Sequence, residues 1–167
     1  SRDNQIKNFE FHIDISQKLG KPLIIHCRDS FSDVYDTLSN KEITYPVILH
    51  SWTGGNKWTK KFIELDVYFS ISGIVTYDTA HDLQAAVKQI PKDKILLETD
   101  VPYLAPQPFK GKRNNPTYIK HTGVKLAELL DVTPHDLSEI TIANTNTVLN
   151  RDCLLYTSDA ADERLSV

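Results

Sequence analysis

The chain has 167 residues, 40% of them hydrophobic and 25% charged, with a formal charge of −3. That length suits one domain, the balance excludes a disordered polymer, and the weak acidity excludes the basic footprint of a nucleic-acid-coating module. No apolar run is long enough to span a bilayer, and the chain shows no basic-then-apolar leader pattern, so a cytoplasmic setting without a membrane partner is expected.

The first pattern is helical. Ile6, Phe9, Ile13 and Leu19 recur at roughly helical spacing from about Gln5 onward, with Phe11 and Ile15 widening the face. Gly20 then stops the helix and Pro22 follows it. Leu23-Ile24-Ile25-His26 reads as a buried strand that ends in Cys27, Arg28 and Asp29. Asp29 or Ser30 can cap a helix running to about Leu38. Val47-Ile48-Leu49-His50 repeats the strand grammar and breaks into the turn Ser51-Trp52-Thr53-Gly54-Gly55. A helix from about Lys57 to Leu65 follows, with Trp58, Phe62 and Leu65 inward.

Tyr68 to Gly73 is the third strand, its small polar residues alternating with Phe69 and Ile71. A helix from about Thr79 to Ile90 places Leu83, Ala86, Val87 and Ile90 on one side, and Pro91 ends it. Lys94 to Glu98 is the fourth strand. The connection from Asp100 to about Pro116 holds four prolines and the basic run Lys110-Gly111-Lys112-Arg113. Connections of this length inside a domain are usually functional. Helices over Tyr118–Leu130 and Pro134–Leu149 complete the pattern. Strands alternating with helices predict an α/β fold with a parallel sheet. Four such strands make about half of a TIM-type (β/α) barrel.

Three apolar runs end in His26, His50 and the Glu98-Thr99-Asp100 stretch. Ligands of parallel sheets gather past the carboxyl ends of the strands, and imidazole and carboxylate are donors for a divalent metal. A lone histidine there is more often a hydrogen-bonded rim residue; the shared placement of all three favours a metal or catalytic cluster. Asp100 can instead cap a turn. Arg28 either pairs with Asp29 at the rim or faces an anionic substrate through its planar fork. Ser51 and Thr53, beside Gly54 and Gly55, can bind phosphate or simply form a turn. Cys27 reads as a small buried side chain, and with Cys153 the only other cysteine, no disulfide scaffold is indicated. Lys110, Lys112 and Arg113 are solvated charges or grips on a phosphate backbone. His12, His81, His121 and His135 fall on or near helices and receive no role.

Lys21-Pro22-Leu23-Ile24-Ile25-His26-Cys27-Arg28-Asp29, Leu49-His50-Ser51-Trp52-Thr53-Gly54, Ile71-Ser72-Gly73, Leu97-Glu98-Thr99-Asp100-Val101-Pro102-Tyr103-Leu104 and Arg113-Asn114-Asn115-Pro116 together resemble the TatD family of metal-dependent deoxyribonucleases. Gln5 and Phe9 match as well, and the resemblance covers about residues 1–150. It implies hydrolysis of DNA phosphodiesters and two divalent metal ions, Mg²⁺, Mn²⁺ or Zn²⁺. By this resemblance His26 and His50 hold one metal, and Asp100 holds the other near the attacking water. The family's early His-x-His pair and its Gly-Glu-x-Gly-Leu-Asp stretch have no counterpart here and would precede Ser1. The chain is therefore expected to be the C-terminal half of a barrel, over residues 1–152. From Cys153 to Val167 the sequence is similar to a translated sequencing-library adapter and is expected to lie outside the fold. The alternatives are a related hydrolase of a small amide or ester, and a non-catalytic binding module.

Overall fold

In the computed structural model, which describes residues 1–149, β1 (Leu23–His26) and β2 (Val47–His50) pair in parallel with Leu23 opposite Val47 and His26 opposite His50. The expected matching of the two histidines is thus literal: they are register partners. β3 (Tyr68–Ile71) and β4 (Ile95–Leu97) extend the sheet in the order β1-β2-β3-β4, all parallel, with Ile48 opposite Tyr68 and Ile71 opposite Leu97. Six helices connect and flank the strands: α1 (Arg2–Leu19), α2 (Phe31–Ser39), α3 (Asn56–Ile63), α4 (His81–Val87), α5 (Ile119–Leu129) and α6 (Pro134–Leu149). None of them is long and apolar enough to cross a membrane.

The period-2 alternation of a strand divides the sheet into two faces. Ile25, Leu49, Phe69, Ile71 and Ile95 belong to the main core, together with Ile13, Val34, Phe62, Leu83 and Leu126 from the helices. The opposite face carries a smaller cluster of Ile48, Tyr68, Leu96 and Val148. On that second face Ile24 remains 67% exposed beside His26. The chemistry-bearing residues therefore share the thinly covered face, whose cluster takes only Val148 at the end of α6 from the described helices, and the other helices pack on the opposite face.

Several expectations need correction. Ser1 caps α1 by accepting from the Asn4 amide at 3.4 Å, which starts the helix before the expected Gln5. Phe11, Ile15 and Leu19 were expected on its inner face, yet they are exposed, and Ser16 is buried instead. At about 100° per residue, Phe9, Ile13 and Ser16 form one stripe, Phe11 falls opposite and Ile15 falls to one side. Ser16 is tolerated inside because its hydroxyl donates to the Lys21 carbonyl at 2.7 Å. Ser30 stands at the start of α2 but makes no side-chain capping bond. α4 is shorter than expected, although Leu83, Ala86, Val87 and Ile90 are all buried as the pattern requires. Cys153 and the adapter-like stretch 153–167 lie outside the described residues.

Candidate metal centre

The turn after β2 is set by Trp52. Its ring is buried among Phe31, Phe62 and Phe69, with centroids 5.3, 5.4 and 5.3 Å away. Its indole N–H donates to Thr59 Oγ1 at 2.9 Å and its amide to the Ser70 carbonyl at 2.9 Å. Only glycine fits at position 54, where a Cβ would lie 2.1 Å from that ring. Ser51, held at φ 46°, shares a hydrogen bond of 2.7 Å with Ser72, both buried.

A cavity of about 540 Å³ opens at the carboxyl ends of the strands, lined among others by His26, Arg28, Ser51, Tyr77 and Asp100. The His26 and His50 rings are 6.1 Å apart between centroids, and His50 Nε2 stands 3.5 Å from Asp100 Oδ1. All three side chains expected to bind metal thus sit at the same end of the sheet. Among the described residues, however, no group of three or more His, Cys, Asp or Glu is arranged to hold one ion. His50 stands between the other two, nearer to Asp100 than the expected pairing with His26 alone requires.

The separation of His50 from Asp100 is longer than an ordinary N–H···O hydrogen bond. It is close to the edge of a tetrahedral shell, about 3.4 Å for metal–ligand bonds of about 2.1 Å. The donor set of an imidazole nitrogen facing a carboxylate therefore fits a divalent cation, with the remaining coordination positions to be supplied by other ligands.

Glu98 is the site residue that sequence reading missed. His50 Nδ1 lies 2.9 Å from its Oε1 and 3.0 Å from its Oε2, and only the Oε2 contact has hydrogen-bond geometry. The Ser70 hydroxyl donates to the same Oε2. Oε1 is left buried without a hydrogen-bond partner. The sequence offered only its place two residues before Asp100, at the end of the same apolar run.

Arg28 and Asp29 form a loose pair at 3.8 Å, with side chains 81% and 93% exposed, and both line the cavity. Thr53 lines it too. Cys27 is buried, and burial pushes its thiol above the ordinary value against the opposing contact from Ser30. It stays protonated near neutral pH, as suits a packing residue and not a nucleophile. Tyr77 is likewise pushed up by burial, and its hydroxyl donates to the Ala105 carbonyl at 3.0 Å. Lys110 reaches the rim, its ammonium 4.4 Å from the Tyr77 ring centroid.

A family model described as TatD related DNase matches residues 1–150. The chain is 37% identical to the uncharacterized metal-dependent hydrolase YabD of Bacillus subtilis over 145 residues, 86% of this chain and 56% of YabD. It is 37% identical to the uncharacterized metal-dependent hydrolase YcfH of Escherichia coli K12 over 141 residues, 84% of this chain and 53% of YcfH. The chain spans about half the length of these curated relatives. Among solved structures, the TatD homologue YjjV of E. coli superimposes with a TM-score of 0.79 at 22% identity, over 84% of this chain and 54% of YjjV. An uncharacterized amidohydrolase of Saccharomyces cerevisiae gives 0.76 at 21% identity, over 89% of this chain and 60% of the yeast protein. At those identities the superpositions speak for the fold alone. With the family model matched from the first helix through the last, and with its relatives above one-third identity, the chain belongs to the TatD-related DNase family.

Proposed function

We propose that the chain carries part of a metal-dependent hydrolase site that cleaves DNA phosphodiester bonds. The observation that carries the reading is the imidazole–carboxylate pair, His50 Nε2 facing Asp100 Oδ1 across 3.5 Å. His26, His50 and Asp100 are the residues that would hold two divalent ions, Mg²⁺, Mn²⁺ or Zn²⁺. A bound ion supplies Lewis acidity and neutralises charge that builds on the phosphoryl oxygens. Asp100 orients the nucleophilic water through its carboxylate and accepts the proton that the water loses. The water oxygen forms the new bond to phosphorus, the ester P–O bond breaks, and the departing oxygen is protonated from solvent. Arg28, whose pairing with Asp29 among the described residues is loose, receives the substrate phosphate in its planar fork. Lys110 adds positive potential at the same rim, and Lys112 and Arg113 follow it in the same loop.

We also read the four strands as about half of a β/α barrel, a reading supported by the coverage of about half of each relative and by the thinly covered second face of the sheet.

The experiment is hydrolysis of a DNA oligonucleotide by the purified chain with Mn²⁺ or Mg²⁺, beside simple amide and ester substrates. Because His26, His50 and Asp100 supply only part of a two-ion ligand set, the expected result is weak metal-dependent DNA cleavage that is lost in the His50→Ala and Asp100→Asn variants. Cleavage indifferent to both substitutions, or a preference for the amide or ester, would overturn the reading.

A further inference from the structure

Glu98 has no role in the reaction as read above, yet its carboxylate is fixed by contacts to two other strands. Its backbone amide donates to the Ile71 carbonyl at 3.1 Å, fastening it to β3. Its carboxylate accepts from Ser70, also on β3, and lies 3.0 Å from His50 Nδ1 on β2. Ser70 is in turn tied to the turn after β2, because its carbonyl accepts the Trp52 amide. The carboxylate is therefore held from two sides and presents a fixed acceptor to one edge of the His50 ring.

A neutral imidazole carries one N–H. If that proton sits on Nδ1 and is donated to Glu98, the lone pair must be on Nε2. That is the nitrogen aimed at Asp100. A histidine that donates one ring nitrogen to a carboxylate is oriented and made more basic at the other. We infer that Glu98, braced by Ser70, is a positioning residue: it fixes His50 in the Nδ1–H form so that Nε2 is ready to bind a cation before any cation arrives. This rests on the metal-centre reading above. It deepens that reading by assigning the work to a residue outside the ligand set.

The test needs neither metal nor substrate for its main readout. In the metal-free chain labelled with ¹⁵N, long-range imidazole correlations recorded about two pH units above the ordinary histidine value report which ring nitrogen is protonated. His50 is expected with its proton on Nδ1. Glu98→Ala is expected to move the proton to Nε2 or to mix the two forms. Glu98→Gln, whose amide oxygen can still accept, is expected to restore the Nδ1–H form in large part. If Glu98→Ala does not fold, Glu98→Leu, closer in volume, takes its place. Titration with Mn²⁺ alone should then show roughly 10- to 100-fold weaker binding in the Ala or Leu variant, with part of the loss recovered in Glu98→Gln. The inference is overturned if wild-type His50 is protonated on Nε2, or if removing the carboxylate leaves the tautomer unchanged. Failure of the wild-type chain to cleave DNA would count against the proposed reaction and leave the tautomer result standing.

Discussion

Gly73 and Leu104 meet so closely that a Cβ on the glycine would lie 2.3 Å from the leucine carbonyl oxygen and 2.9 Å from the Pro106 nitrogen. Both obstacles are backbone, so no side chain can swing away. Leu104 lines the site cavity and is itself held at φ 54°. Gly73→Ala is expected to push the long connection off the end of β3. A loss of about 1–3 kcal/mol in urea unfolding is the scale for such overpacking, together with weaker Mn²⁺ binding as the Asp100 end of the connection shifts. Unchanged unfolding and unchanged binding would show that this contact does not hold the connection.

Trp52 supports stability more than chemistry. Trp52→Ala is expected to cost about 3–5 kcal/mol, the range for truncating a buried aromatic. Trp52→Phe should cost less but leave Thr59 Oγ1 without its indole donor. Chemical denaturation followed by far-UV circular dichroism ranks the two. Equal losses would mean that the hydrogen bond, and not the packing, dominates.

Lys94 gives a pH dependence with a definite sign. Burial alone would lower its pKa, but the hydrogen bond to Asp66, 2.7 Å away, with the charges of Tyr68, Asp66 and Asp93, more than compensates and holds it above the ordinary lysine value. A group raised in the folded state stabilises fully below its unfolded pKa, about 10.4 for lysine. That stability is lost as pH rises through the higher folded value. The wild-type melting temperature should therefore fall more steeply than that of Lys94→Met above about pH 10. Parallel curves would show that the ion pair adds nothing.

Metal should act on the rim without being needed for the core. The main core lies on the helix-covered face, away from His26 and Asp100. Chelation is therefore expected to leave the metal-free fold intact. Added Mn²⁺ at a hundredfold excess over its dissociation constant should stabilise the chain by about 2.7 kcal/mol through mass action, and His50→Ala should abolish that gain. Chelator-induced unfolding in far-UV circular dichroism would show the metal to be structural.

Arg28 separates a rim ion pair from a phosphate contact. Its pairing with Asp29 is long and solvent-exposed, and such pairs contribute little to stability. Arg28→Ala should leave the unfolding midpoint in place while raising KM for DNA and flattening the salt dependence of binding. A lowered midpoint with an unchanged KM would return Arg28 to the structural role.

The sheet was legible because apolar runs bounded by turn residues leave few alternatives. His26 and His50 could be aligned in advance because both close four-residue strands of the same grammar. The inner face of α1 was harder to read, because apolar residues occupy too many of its positions. Phe11, Ile15 and Leu19 are as apolar as Ile13, and only the geometry of the neighbouring β1 and α2 selects the stripe. Glu98 escaped for a different reason. Its importance lies in what it touches on two other strands, Ser70 and His50, and no local spacing records a contact between residues 28 or 48 positions apart.

The alternation along each strand has a consequence for how this protein can change. On β1, Ile25 answers to the helices and His26 to the cavity. On β2, Leu49 joins the core while His50 faces Glu98 and Asp100 on the opposite side. Adjacent letters are thus under separate physical constraints. A library randomising positions 24, 26, 50, 70 and 98 would explore new chemistry while leaving the helix-packed half of every strand untouched. The same number of changes at 25, 49, 69, 71 and 95 would be spent on keeping the chain folded.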